Sequence, residues 1–117
     1  MATFERERLV RRTLMALGAL GANDAPDADD SALVQEVYAQ KADELYEEGL
    51  LPFDVEGDIP GRYFLPLVWI LARELLADFG KFGRAKVVEV RAAEADKRLW
   101  QLRQAAYVHT PTRATYY

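Results

Sequence analysis

Cysteine is absent from this 117-residue chain, and histidine occurs once, at His109. Without thiols there is no disulfide, no thiolate zinc site and no cysteine nucleophile, a composition that suits a reducing compartment. No second ligand stands at metal-binding spacing from His109, which therefore reads as a surface contact. Long apolar runs are missing too. The longest uncharged apolar stretch, residues 63–72, is half the length of ~20 residues that crosses a bilayer, and it contains Pro66. The opening MATFERERLVRR is charged where a signal peptide is apolar. A soluble protein with no membrane partner is expected.

Catalytic equipment is equally scarce. Gly80 and Gly83 lack the preceding strand and the remaining residues of a phosphate-binding loop. Asp43, Glu44, Glu47 and Glu48 cluster, but carboxylate metal sites of helix bundles recruit Glu-x-x-His pairs from facing helices. The sequence has no such pair, so these acids read as a solvated face. No cofactor and no enzymatic activity are expected.

What the chain does have is charge laid out unevenly. Residues 13–58 hold twelve Asp and Glu against one base, Lys41. From residue 81 onward there are eight bases (Lys81, Arg84, Lys86, Arg91, Lys97, Arg98, Arg103 and Arg113) against Glu89, Glu94 and Asp96. The net charge is only -4, so the molecule as a whole is not built to coat nucleic acid. One copy instead carries an acidic region and a basic region that can meet on neighbouring copies. The plainer reading, solvated helix faces, fits the same pattern.

Half the residues are hydrophobic in 13.3 kDa, enough for one domain with one modest core. Apolar periodicity predicts an all-α fold, a small bundle of four helices with an extended C-terminal tail. The first helix covers residues 4–20, with Val10, Leu14 and Leu17 on one face. Arg6, Arg8, Arg11 and Arg12 crowd its positive end and require partners there. An acidic linker, residues 23–30, follows. The second helix starts after Asp30 or Ser31 as a cap and carries Val34, Tyr38, Ala42 and Leu45 until Gly49 stops it. Glu47 and Glu48 oppose the dipole at that end and call for a base nearby.

Residues 49–62 form an ordered loop whose Phe53 and Val55 dock on the core or on another subunit. The third helix begins at Pro66, or near Gly61 with a kink, and runs to Phe79. It is apolar on nearly every side and forms the central core element. After a turn at Gly80 to Gly83, which includes Phe82, the fourth helix spans residues 84–104. Its narrow stripe is Val88, Ala92, Ala95, Leu99 and Leu102, with Trp100 packed beside it. Residues 1–106 make the helical domain and residues 107–117, YVHTPTRATYY, the tail. Seven of those eleven residues are aromatic, Thr or Val, which suits pairing with a neighbouring strand.

Several stretches together, LVRRTLMALGALG, ADELYEEGLLPF, LPLVWILARELLADFG, VRAAEADKRLWQLR and the tail, resemble the small head-to-tail adaptor proteins of tailed bacteriophages. The likeness is greatest to the type that stabilises packaged DNA in short-tailed phages. It implies a helical adaptor domain in a ring, commonly of twelve copies, below the portal protein, joining capsid to tail and helping to retain packaged DNA. Further implied partners are neighbouring adaptor subunits, a tail or nozzle protein, and DNA passing through the channel without sequence-specific contact. The implied location is the virion head-tail junction, with host cytoplasm during assembly. Lys81, Arg84, Lys86 and Arg91 become subunit contacts, and Tyr107, His109, Arg113, Tyr116 and Tyr117 the docking tail. Phe53, Val55, Phe82 and the tail tyrosines would supply affinity, because exposed ion pairs contribute only about 0–1 kcal/mol each. The competing reading is a small helical nucleic-acid-binding regulator using the basic last helix.

Overall fold

One helix with apolar side chains on almost all sides dictates the arrangement. The computed structural model describes residues 2–109, with side chains through Ala105. Four helices, α1 (Arg6–Ala16), α2 (Ala28–Glu47), α3 (Gly61–Phe79) and α4 (Ala85–His109), make an all-α bundle. Helix α3 touches each of the other three. Its Leu67, Val68, Ile70, Leu71, Ala72 and Leu75 are all at most 1% exposed. Around them close Leu9, Val10, Leu14 and Leu17 of the first segment, Val34, Tyr38, Ala42 and Leu45 of α2, and Val88, Ala95 and Leu99 of α4. Each is a residue whose three- and four-residue spacing turns it to the same face of its helix.

The boundaries show where local chemistry overrides periodicity. The cap of α2 is Asp27, three or four residues before the expected Asp30 or Ser31, because the Asp27 carboxylate accepts the Asp29 amide at 3.1 Å. Asp29 and Asp30 then sit in the first turn, where carboxylates meet the positive end of the dipole. Helix α3 starts at Gly61 and carries Pro66 inside it. Helix α1 is shorter than expected, since Gly18, at φ 77°, ends it. That left-handed turn lets the Gly18 and Ala19 amides reach the Met15 and Leu14 carbonyls at 3.0 and 2.9 Å. Gly49, also at φ 77°, closes α2 in the same way.

A feature without any helical signal precedes α1. Strand β1 (Thr3–Phe4) pairs antiparallel with β2 (Ile59–Pro60), Phe4 opposite Ile59. The Gly61 amide extends the pairing to the Ala2 carbonyl at 2.9 Å. Phe4 then lies against Phe64 of α3 with ring centroids 4.7 Å apart. Two residues per strand are too few for an alternating pattern, so nothing in the sequence announced this clasp.

Helix α4 continues to His109, five residues past Gln104, the expected end. Tyr107, Val108 and His109 are therefore helical, correcting the expectation of an extended tail from residue 107. Arg113, Tyr116 and Tyr117, with the rest of residues 110–117, lie outside the described residues. At 25 residues α4 is about 37 Å long against about 28 Å for the 19 residues of α3. It runs back along α3, and the two are clamped where Arg73 donates to both carboxylate oxygens of Asp96 at 2.9 and 3.2 Å.

Truncating the central helix will be costly: Leu71→Ala or Leu75→Ala is expected to lower unfolding free energy by about 2–5 kcal/mol. Denaturant titration checks this, with Leu65→Ala, at a site 48% exposed, as the nearly silent control.

Candidate interaction surfaces

The loop after α2 is anchored to the core at both ends. Leu50, Leu51 and Ile59 are buried and hold it to the core. Between them Asp54 turns the chain, accepting the Glu56 amide on its carboxylate at 3.0 Å and the Gly57 amide on its carbonyl at 3.0 Å. The Val55 carbonyl accepts the Tyr38 hydroxyl at 3.2 Å and the Arg6 guanidinium at 3.3 Å. Phe53 leans on Tyr63 of α3 with ring centroids 5.2 Å apart. Phe53 and Val55 are thus half-buried in their own subunit, leaving only their outer edges for a partner.

Those edges line a cleft of about 600 Å³ together with Asp43, Tyr46, Pro52 and Asp54. Tyr46 is 57% exposed. Both charged side chains in the lining are acids, and Glu47 and Glu48 stand exposed at the same helix end. Among the described residues no group of three or more His, Cys, Asp or Glu is placed to hold a metal ion.

A second surface lies at the far end of α3. Gly80 ends that helix at φ 63°, and a 3-10 turn, Phe82–Arg84, leads into α4. Phe82 is 66% exposed, the most exposed large apolar side chain among the described residues. Val87 and Val90, three residues apart on α4, are 44% and 52% exposed. Lys81 and Lys86 flank them and are exposed. Arg84 does not join this display. Its Nε and Nη2 donate to the Ala16 carbonyl at 3.2 and 2.8 Å, placing the cation at the negative end of α1. Arg91 lies 3.8 Å from Glu94 and 5.9 Å from the Trp69 ring centroid, yet stays largely exposed. Of the basic residues the resemblance implicates, Lys81, Lys86 and Arg91 remain at the surface while Arg84 is spent internally.

Other expectations fare unevenly. Three of the four arginines of α1 find partners: Arg6 reaches the loop carbonyls, Arg8 stands 5.6 Å from the Phe4 ring centroid, and Arg11 donates to the Ala22 carbonyl. A base does approach the end of α2, since a Cβ on Gly49 would meet Arg103 Nε at 3.3 Å. Trp100 is not packed in the core. It is 46% exposed with the Arg103 guanidinium 5.3 Å from its ring centroid, because its position points away from the Val88, Ala95 and Leu99 stripe. Tyr46, Val87 and Val90 were missed by sequence reasoning, although each falls off the buried stripe of its helix, and that offset was the available signal. No ion pair among the described residues joins the acidic stretch 13–58 to the bases beyond residue 80.

Comparison with family models, with curated proteins and with solved structures gives no match to this chain. No helix among the described residues is long and apolar enough to cross a membrane.

Two outcomes test how these surfaces are held. Arg84→Met should lower stability by about 1–2 kcal/mol, the value of a partly buried charge-assisted bond at a helix end, while Lys86→Met should leave the unfolding midpoint unchanged. The second concerns Tyr38, 1% exposed, whose pKa is raised by burial, only partly opposed by Arg6. Its contribution to stability is complete below the unfolded value of 10.0. Above that pH the unfolded chain ionises first, so stability is lost as pH rises through the folded pKa. Denaturation midpoints across this range should fall less steeply for Tyr38→Phe than for the natural chain.

Proposed function

We propose that this protein is a structural virion subunit, a head-to-tail adaptor that forms a ring below the portal protein of a tailed bacteriophage. In that role it joins capsid to tail and helps to retain packaged DNA. The observation that carries the reading is the placement of large apolar side chains that the bundle leaves uncovered. Tyr46, Leu65, Phe82, Val87, Val90 and Trp100 are 44–66% exposed and belong to α2, α3, the 3-10 turn and α4. Of these, Phe82, Val87 and Val90 lie within nine residues of one another on the 3-10 turn and the start of α4, and an exposed apolar grouping of that kind marks an interaction site where scattered single residues do not. The sequence resemblance, which spans the whole chain, supplies the identity of those neighbours: portal protein, adjacent adaptor copies and a tail or nozzle protein. Helix α4 outruns α3 by about 9 Å and extends the molecule towards one of them.

Acidic charge also suits a channel through which DNA must slide, because like charge prevents the strand from sticking. The basic helix α4 is a poor duplex reader by comparison, since Glu89, Glu94 and Asp96 interrupt its bases.

The decisive test is the composition and symmetry of purified virions. The chain should be present in the same copy number as the portal protein and resolve by electron cryomicroscopy as a ring beneath it. Absence from the particle, or presence without a ring at that vertex, would sink the role.

A further inference from the structure

We infer that the basic apolar corner formed by Phe82, Lys86, Val87 and Val90 docks into the acidic cleft at Tyr46, Phe53 and Val55 of a second copy of this chain. The inference deepens the proposed role by assigning the two surfaces through which neighbouring copies meet.

Three observations lead to it. The first is complementarity of charge. The cleft of about 600 Å³ is lined by Asp43 and Asp54 with no base, and exposed Glu47 and Glu48 stand beside Tyr46. The corner carries exposed Lys81 and Lys86 against exposed Glu89, with Arg91, 3.8 Å from Glu94, further along α4. Within one copy the two sets form no ion pair among the described residues.

Complementarity of shape is the second. Phe82, 66% exposed on a short turn, is a projecting apolar side chain, and the cleft offers the outer edges of Tyr46, Phe53 and Val55 as walls. An aromatic ring between aromatic and aliphatic walls, with charges at the rim, is the usual anatomy of a protein contact.

Position is the third. Phe53 packs on Tyr63 at the start of α3, and Phe82 follows its end at Phe79. The 19-residue helix between them keeps the two surfaces about 28 Å apart, too far to satisfy each other within one subunit. Different surfaces at opposite ends of one rigid element generate head-to-tail contacts, which close into rings when the rotation between copies permits.

The absence of cysteine makes the pairing directly testable. Asp43→Cys and Val87→Cys variants, each with its single thiol, are mixed in equal amounts at the highest soluble concentration and oxidised. The expected product is predominantly the mixed disulfide dimer. Lys86→Glu in the Val87→Cys partner should reduce its yield several-fold, and Glu47→Lys in the Asp43→Cys partner should restore it. Dimers of like variants in excess, or no cross-link at all, overturn the pairing. Circular dichroism of each variant confirms that the fold survives. The outcome is independent of the virion: a protein that cross-links this way but is missing from particles defeats only the adaptor role. A virion ring whose copies do not cross-link defeats only this pairing.

Discussion

Burial of α3 is the constraint on which the rest of the molecule depends. Leu67, Ile70, Leu71, Ala72 and Leu75 leave that helix no solvent-compatible side broad enough to stand alone. Helices α1, α2 and α4 must therefore surround it, and each has one apolar stripe with which to do so. Once α3 is enclosed, the two surfaces at its ends are fixed relative to each other by a rod of hydrogen-bonded backbone. The loop at its start and the turn at its end inherit that stiffness.

Much of this architecture was legible in the residues. The stripes Val34, Tyr38, Ala42, Leu45 and Val88, Ala92, Ala95, Leu99 are buried as their spacing requires. Side chain–backbone chemistry was harder to read. Asp27, Asp30 and Ser31 are all competent caps, and only the Asp29 amide bond shows which one starts α2. The Thr3–Phe4 and Ile59–Pro60 clasp is a contact between segments more than fifty residues apart, and its strands are too short to carry a periodic signal. Helix α4 runs on through Tyr107, Val108 and His109 because poor helix formers are tolerated at the end of an already propagating helix.

The candidate surfaces were legible in part. Charge segregation is a property of composition along the chain, so the acidic and basic regions were visible at once. Which charges remain free depends on tertiary placement. Arg84 looks like its neighbours Lys81 and Lys86, but the end of α1 lies within its reach and takes it. Phe53 and Val55 were expected to face either the core or a partner, and the fold divides each between the two. Their outward edges become a cleft only beside Tyr46, which belongs to another element.

The bond from Arg84 to the Ala16 carbonyl has a consequence beyond local stability. It ties the turn bearing Phe82 to a helix sixty-eight residues earlier in the chain, so that the corner is braced against the end of α1. An aromatic side chain displayed on such a braced turn loses little freedom when it finds a receptor, and the entropic penalty of association is correspondingly small. In the proposed pairing of copies, loosening the brace would leave every atom of the corner in place chemically and still weaken capture, through a faster escape of the neighbouring copy.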